Sequence, residues 1–264
     1  MEEKLYSSRM PVLFIGHGNP MNAIERNRWS EAFAELGRTL PHPKAILVIS
    51  AHWFVAGTFV TGQTKPTTLH DFSGFPGELN TFEYPAPGDP DLAGRVVKLC
   101  GKGASLSSDW GLDHGAWSIL THLFPKANVP VVQLSVDTGR SPLELIELGE
   151  SLQPLRDEGV LIIGSGNITH NLSDAFTRMI RRNSATPDWA ALFDVQIAGA
   201  IQERNNRYLT TAMADELGEI NHPSPDHYLP LLYAYGASVK DDTVQFPITG
   251  FDMGSLSMRC VRWG

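Results

Sequence analysis

The sequence predicts a three-layer α/β fold with a mostly parallel central sheet, and two observations support this prediction. Short apolar runs, typical of strands buried on both faces, alternate along the chain with stretches of helical periodicity. Near the end, two β-prone segments at 243–250 and 255–262 follow each other closely enough to pair antiparallel. We therefore expect some antiparallel strands at the C-terminal end of a mainly parallel sheet.

The domain organisation predicted from the sequence is simple. The 264 residues contain no internal repeat, no low-complexity segment and no stretch with the composition of a linker. This length is sufficient for one large α/β domain with a sizeable core. We expect a single domain over residues 1–264, in which residues 1–10 form a flexible N-terminal extension.

The predicted strands are short runs of aliphatic side chains bounded by glycine, proline or polar residues. In chain order they cover residues 13–15, 45–50, 57–62, 129–136, 160–163, 243–250 and 255–262.

The predicted helices are recognised largely by their boundaries. Asp89 as N-cap with Pro90 at the first helical position begins one helix, and the capping box formed by Ser141 and Glu144 begins another. In order, the helices cover residues 30–40, 90–99, a segment that ends near 125, residues 142–159, one or two segments within 188–217, and a segment from 223–230 to about 235.

Residues 64–90 form a long segment that is rich in glycine, proline and aromatic side chains. A loop of this length without periodicity is uncommon in a compact domain unless it has a function, such as covering a site. The alternative is a packed surface excursion. The loop contains His70, whose orientation toward or away from a site the sequence leaves open.

Composition excludes several classes of partner. The formal net charge is −8 and the basic residues do not cluster, apart from Arg178, Arg181 and Arg182, which we interpret as a solvated helix face. This argues against nucleic acid and anionic membranes as partners. Cys100 and Cys260 are far apart, so they predict neither a disulfide framework nor a thiolate metal site. With no signal peptide or membrane-spanning run in the sequence, we expect a cytoplasmic location.

Histidine is the residue type that indicates chemistry. His17, His52 and His170 follow or end three of the predicted strands, and parallel strands present their carboxyl ends at one rim of the sheet. Five of the nine histidines lie in turns marked by glycine or proline, namely His17, His52, His114, His170 and His227. Neutral imidazole suits zinc and iron, and a histidine cluster without cysteine is typical of a catalytic metal site. The alternative is a set of unrelated loop histidines.

Other catalytic motifs are absent from the sequence. It contains no dinucleotide-binding GxGxxG motif, no P-loop and no HExxH motif. Ser165 follows a glycine directly and is not part of a nucleophile elbow. A serine hydrolase is therefore disfavoured.

Six motifs in order connect the chain with one family. They are GHGNPM at 16–21, SAHW at 50–53, HDFSGFP at 70–76, DHG at 113–115, GNITHNL at 166–172 and HYLPLL at 227–232. With these motifs the chain resembles the class III extradiol ring-cleavage dioxygenases, in the 4,5-DOPA dioxygenase branch of the LigB superfamily. The motifs extend over almost the whole chain, so the resemblance implies one catalytic dioxygenase domain.

The resemblance also implies a metal site and its catalytic residues. One divalent ion would be held by His17, His52 and His227, with His170 close enough to be a further ligand. His170 would also be the acid/base residue, and His114 would orient substrate or oxygen. Zn²⁺ is the ion we expect to find bound, whereas Fe²⁺ is needed for the redox chemistry.

The implied reaction inserts O2 into the ring of a catechol such as DOPA, beside its two hydroxyls. Catechol and O2 are thus the expected partners, with the oligomeric state left open. Two alternatives remain at this point. One is a zinc-dependent hydrolase that uses a metal-bound water. The other is a non-catalytic relative that acts through protein contacts, against which the presence of all five histidines argues.

Overall fold

A computed structural model describes residues 9–264 of the chain. Its strands are β1 Val12–Gly16, β2 Ala45–Val55, β3 Thr58–Thr61, β4 Ala104–Ser107, β5 Val131–Asp137, β6 Val160–Gly166, β7 Val244–Ile248, β8 Phe251–Asp252, β9 Leu256–Ser257 and β10 Cys260–Trp263. Eight of them form one sheet in the order β4-β3-β5-β2-β6-β1-β10-β7, and β8 pairs with β9 separately.

Helices connect most of the strands. They are α1 Arg28–Thr39, α2 Gly77–Asn80, α3 Pro90–Cys100, α4 His114–Leu123, α5 Pro142–Ser151, α6 Pro154–Asp157, α7 Leu172–Ile180, α8 Asp188–Gln202, α9 Asn206–Thr211, α10 Glu216–Asn221 and α11 Leu229–Ala237, with a 3₁₀ turn at Pro20–Ala23.

The centre of the sheet is parallel, as predicted. Strands β5, β2, β6 and β1 run in the same direction, and β10 and β7 continue the sheet antiparallel at one edge. At the other edge β3 is antiparallel to β5 and parallel to β4. The predicted fold class is confirmed, including the antiparallel strands at the C-terminal end.

Two hydrophobic cores lie on the two faces of the sheet. Successive residues of β2 alternate between them, since Leu47 and Ile49 belong to one core while Ile46 and Val48 belong to the other. Helices α5, α8 and α11 cover the first face, and α1 and α4 cover the second. Because the sheet is covered on both faces, both sides of its central strands are buried. This explains why these strands appear in the sequence as continuous apolar runs.

Several predicted boundaries were wrong. The helix expected over 142–159 is two helices, because Pro154 has no N–H to continue α5 and begins α6 instead. The last helix, by contrast, starts at Leu229, within the predicted start at 223–230, and ends at Ala237, close to the predicted end near 235. Strand β4 was missed because its short, half-exposed sequence carries no apolar run.

The N-terminal prediction falls mostly outside the described part of the chain. Residues 1–8 of the expected extension lie outside the described range 9–264. Within that range, the buried Met10 donates its N–H to the carbonyl of Arg156. Within residues 9–264, none of the helices combines the length and apolar character needed to cross a membrane.

A buried ion pair connects α6 with the segment that precedes β7. The Arg156 side chain is 1% exposed and contacts both carboxylate oxygens of Asp242, at 2.7 and 2.9 Å.

Because Asp242→Ala would leave the guanidinium without its partner, we expect a loss of about 3–5 kcal/mol in the free energy of unfolding. Urea denaturation measures this loss. As a control, Arg95→Ala breaks the exposed Arg95–Glu158 pair and should cost under about 1 kcal/mol. Equal losses for the two variants would contradict this assignment.

Candidate metal centre

The five histidines singled out in the sequence line one cavity of about 300 Å³ at the carboxyl ends of the central strands. His17 directly follows β1, His170 lies between β6 and α7, and His227 precedes α11. His52 lies within β2, where the pairing register with β5 shifts between Ile49 and Phe54. Such irregularities redirect side chains, and this one accompanies the orientation of His52 into the cavity.

Three imidazoles surround a common point. The ring centroids of His17, His52 and His227 are 5.1 Å apart in each of the three pairs. Nε2 of His17 lies 3.2 Å from Nε2 of His52. This arrangement brings together the three residues that the family resemblance gave as metal ligands.

His114 lies closer to these histidines than the expected role of orienting substrate or oxygen requires. Its ring centroid is 3.7 Å from that of His52 and 5.9 Å from that of His17. Possible ligand atoms of His17, His52 and His114 lie within 4.8 Å of one another, so this triad could also hold a metal ion. The geometry therefore offers His114 and His227 as two candidates for the third ligand.

The protonation of His17 is fixed by Ser165. The hydroxyl of Ser165 donates to the carbonyl of Gly115 at 2.6 Å, so its oxygen is left to accept from His17 Nδ1 at 2.9 Å. The proton of His17 is thus on Nδ1, and Nε2 keeps its lone pair for a metal ion.

Carboxylates do the same for the other two histidines. Asp71 Oδ2 lies 3.4 Å from His52 Nδ1, and Asp226 accepts a hydrogen bond from His227 Nδ1. Burial raises the pKa of Asp226, but the hydrogen bond from His227 outweighs it and holds the pKa well below its usual value. An ionised carboxylate only accepts, so Nδ1 of His227 carries the proton and its Nε2 is free, while the charge of Asp71 beside Nδ1 of His52 favours the same tautomer there.

The donor set fits a transition-metal ion. Burial, followed by the nearby histidines, holds the pKa values of His17 and His52 well below the usual value, so both rings are neutral. Neutral imidazole is the form that binds zinc and iron, and lone pairs 3.2 Å apart repel each other unless a cation lies beside them. The residues present therefore fit the metal that the motifs imply.

Asp71 is one of three supporting residues of this centre that the sequence analysis missed, with Ser165 and Asp226. It lies in the loop at 64–90, and its largely buried side chain contacts two histidines. Oδ1 accepts the backbone N–H of His114 at 3.0 Å, while Oδ2 lies 2.9 Å from His114 Nδ1 at an angle unsuited to a hydrogen bond. Its position beside His70 in the HDFSGFP motif was the available signal.

The substitution Asp71→Asn tests this role. Without the carboxylate, the tautomer and orientation of His52 are less well fixed, and we expect metal affinity to fall about 10–100-fold. Competition with a chelator for Zn²⁺ measures the affinity. The exposed Asp109→Asn is the matched control. If both variants bind Zn²⁺ as the parent protein does, Asp71 does not support the ligand.

The ring of His170 is stacked on that of His227. Their centroids are 3.4 Å apart and the planes differ by 7°. Lone pairs on an imidazole lie in the plane of the ring, so two parallel rings cannot both direct them at one ion. In this conformation His170 is a neighbour of the metal position, and rotation of its ring would be needed for coordination.

A second buried carboxylate supports His114. Asp113 is the N-cap of α4 and accepts hydrogen bonds from the hydroxyl of Ser50 at 2.7 Å and from Nε2 of Gln133 at 2.8 Å. These contacts connect the start of α4, where His114 lies, to strands β2 and β5. Asp113 was quoted in the DHG motif, but its structural role was not predicted.

The loop at 64–90 covers the site. Of the two interpretations of its sequence, a cover over a site and a packed surface excursion, this agrees with the first. Asp71, Phe72, Ser73 and Phe75 line the cavity. His70 is not one of the lining residues, and its Nε2 lies 2.9 Å from the carbonyl of Phe82. The loop therefore contributes through the residues that follow His70.

Comparison with known proteins decides the family. The family described as the catalytic LigB subunit of aromatic ring-opening dioxygenase matches residues 8–253. The chain belongs to this family. This confirms the resemblance read from the six motifs, and with it the class of enzyme, an extradiol ring-cleavage dioxygenase.

Several relatives of this LigB-family enzyme are similar over nearly their full length. A protein of Escherichia coli K12 named 4,5-DOPA dioxygenase extradiol is 42% identical, covering 98% of this chain and 96% of the relative. One of Beta vulgaris with the same name is 39% identical, covering 93% of each chain. The crystal structure of an uncharacterized protein from Escherichia coli K12 superposes with a TM-score of 0.81 at 38% identity, covering 97% of this chain and all of the other.

Family membership gives the coarse chemistry. LigB dioxygenases depend on a metal ion, and they act with O2 on small aromatic molecules.

Proposed function

We propose that the protein is a metal-dependent extradiol dioxygenase that opens the ring of a catechol, such as DOPA, beside its two hydroxyls. The observation that carries this proposal is the set of free Nε2 atoms on His17, His52 and His227 in one cavity with His114 and His170. The names of the relatives from Escherichia coli and Beta vulgaris support DOPA as a representative substrate.

His17, His52 and His227 are the residues that would hold the ion. Three protein ligands leave open positions, which catalytic sites need and structural sites lack. Bound Fe²⁺ would supply the redox chemistry with O2 and the site for the catechol oxygens, whereas Zn²⁺ would fill the same nitrogens without redox activity. The low pKa values of His17 and His52 support metal binding at neutral pH without competition from protons.

His170 is the proposed acid/base residue. Burial, followed by the nearby His227, holds the pKa of His170 well below its usual value, so its ring is neutral and can accept a catechol proton. The stack on His227 keeps this ring beside the metal position. Without substrate, rotation of the ring would make His170 a fourth ligand, and a catechol would displace it.

His114 is the proposed orienting residue. Its backbone N–H is held by Asp71, and its ring packs between His52 and Phe72, with centroids 3.7 and 5.5 Å away. A ring fixed on both sides can direct a nitrogen at the substrate or at oxygen with little loss of freedom.

We also propose that residues 1–264 act as a single catalytic domain in the cytoplasm. The single large sheet, whose C-terminal strand β10 pairs with the first strand β1, supports one folding unit. The absence of a disulfide framework in the sequence supports a reducing compartment.

Oxygen uptake tests the proposed function. Protein loaded with Fe²⁺ under anaerobic conditions is mixed with DOPA or catechol and then with oxygenated buffer, and O2 consumption is followed with the absorption spectrum. We expect equimolar consumption of O2 and catechol with a yellow semialdehyde product, and no consumption by the protein loaded with Zn²⁺. Hydrolysis of an ester by the zinc form, with no O2 uptake by the iron form, would contradict the proposal.

A further inference from the structure

The first turn of α4 carries a glycine that packs directly against the histidine centre. Gly115 is buried and follows His114 in this helix. A Cβ atom added at Gly115 would lie 2.5 Å from Oγ of Ser50 and 2.9 Å from Cδ2 of His52. Because Cβ atoms do not approach other atoms so closely, the lack of a side chain at Gly115 is what allows α4 to lie against the ring of His52.

The backbone of Gly115 supports a second histidine. Its carbonyl accepts a hydrogen bond from the hydroxyl of Ser165 at 2.6 Å, and the oxygen of this hydroxyl lies 2.9 Å from Nδ1 of His17. The carbonyl therefore directs the hydroxyl of Ser165, and through it determines which nitrogen of His17 carries the proton. Gly115 thus leaves room for the ring of His52 and fixes the tautomer of His17.

The turn that contains Gly115 is held firmly in place by Asp113. The carboxylate of Asp113 is fully buried and accepts hydrogen bonds from the hydroxyl of Ser50 at 2.7 Å and from Nε2 of Gln133 at 2.8 Å. Its backbone N–H donates to Oε1 of Gln133 at 2.9 Å. These bonds attach the start of α4 to β2 and β5, so α4 cannot easily move away to admit a side chain between itself and His52.

The helix itself gains nothing from a glycine at position 115. Glycine is less favourable than alanine in a helix, because its backbone loses more conformational freedom on folding. The φ angle of Gly115 is not positive, so the backbone here would accept alanine. Gly94 in α3 provides a contrast, since an added Cβ there would have no atom within 4 Å. The requirement for glycine at position 115 therefore comes from the histidine centre.

We propose that Gly115 is a positioning residue of the metal centre. Its lack of a side chain sets the place of His52, and its carbonyl sets the proton of His17. One backbone position thereby aligns two of the three proposed ligands with each other and with the adjacent His114. This inference rests on the proposed function, because it takes these histidines to hold a metal ion.

The substitution Gly115→Ala tests the proposal. The added methyl group would displace the ring of His52, and we expect the affinity for Zn²⁺ to fall about 10–100-fold, as it does for other changes behind a metal ligand. Competition with a chelator measures the affinity, and circular dichroism checks that the variant is folded. The visible absorption of the Co²⁺-loaded protein reports the coordination geometry, and its bands should differ from those of the parent protein.

Gly94→Ala is the matched control. It makes the same change in a helix where the methyl group meets open space, so the Zn²⁺ affinity and the Co²⁺ spectrum should be those of the parent protein. The midpoint of thermal unfolding should rise by about 2 °C, because alanine favours the helix. A folded Gly115→Ala variant that binds Zn²⁺ as tightly as the parent protein would overturn the proposal, because Gly115 would then serve packing alone.

Two further variants apply if Gly115→Ala does not fold. Ser50→Ala removes the closer of the two atoms that the new methyl group would meet, and the double variant with Gly115→Ala should bind Zn²⁺ about tenfold or more weakly than Ser50→Ala alone. Ser165→Ala removes the hydroxyl between Gly115 and His17 without adding volume, and should also lower the affinity about tenfold or more. Unchanged affinity in either comparison would contradict the proposal.

Failure of the proposed function gives a different result. If the parent protein takes up no O2 with a catechol when loaded with Fe²⁺, the proposed function is refuted, while weaker Zn²⁺ binding by Gly115→Ala would still support the positioning role. If the parent protein takes up O2 and both glycine variants bind Zn²⁺ equally well, the proposed function stands and the role of Gly115 is refuted. A parent protein that binds no Zn²⁺ in the competition would refute both.

Discussion

Replacing His17 by alanine is expected to abolish both metal binding and ring cleavage. His17 is 1% exposed, and Ser165 fixes the proton of its ring on Nδ1, so the lone pair of Nε2, which lies 3.2 Å from Nε2 of His52, is available to the proposed ion. Loss of a partner behind a ligand costs about 10–100-fold in metal affinity, so loss of the ligand itself should exceed about 100-fold. Metal content after dialysis and turnover with catechol measure the two effects.

Two further histidine variants make this prediction specific. His42→Ala removes an exposed histidine outside the cavity and should retain metal and activity. His114→Ala should retain metal but lose turnover by about 10²–10⁴-fold, the usual contribution of a positioned catalytic group. Loss of metal from His114→Ala with retention by His227→Ala would instead assign the third ligand to His114.

The substitution His170→Ala should separate catalysis from metal binding. Because its ring stacks parallel to that of His227 and the three proposed ligands are other histidines, we expect the variant to keep its metal and to bind catechol. Without the neutral base that accepts the catechol proton, turnover should fall about 10²–10⁴-fold. Metal analysis, equilibrium binding of catechol and steady-state kinetics provide the three readouts.

X-ray absorption of the metal-loaded parent protein tests the second proposed role of His170, as a fourth metal ligand when no substrate is bound. If His170 rotates onto the ion when no substrate is present, the number of nitrogen ligands should fall by one when catechol binds. An unchanged number would reject displacement of His170, and loss of metal from His170→Ala would show that it is an essential ligand.

The sequence was most informative where strand direction decides position. His17 follows β1 and His52 lies in β2, the two strands that pair with β6 on either side, and apolar runs alone predict that such residues meet at the rim of a parallel sheet. His227 precedes a helix that is distant in sequence from these strands, so only the resemblance to a family predicted its place. The same holds for His114.

The supporting residues could not be predicted from the sequence. Asp71 reaches His52 and His114 only because of the path of a long loop, which has no periodicity to read. Ser165 was considered only as a nucleophile, yet it orients His17 through a contact with the carbonyl of Gly115.

Labelled dioxygen gives the most direct test of the central claim, which is that these histidines support ring cleavage beside the hydroxyls of a catechol. The Fe²⁺-loaded protein is supplied with catechol and isotopically labelled O2 in ordinary water, and the product is analysed by mass spectrometry. Our account predicts a ring-opened semialdehyde that carries both labelled oxygen atoms at the moment of formation. A product whose new oxygen comes from water, or a diacid from cleavage between the hydroxyls, would contradict it.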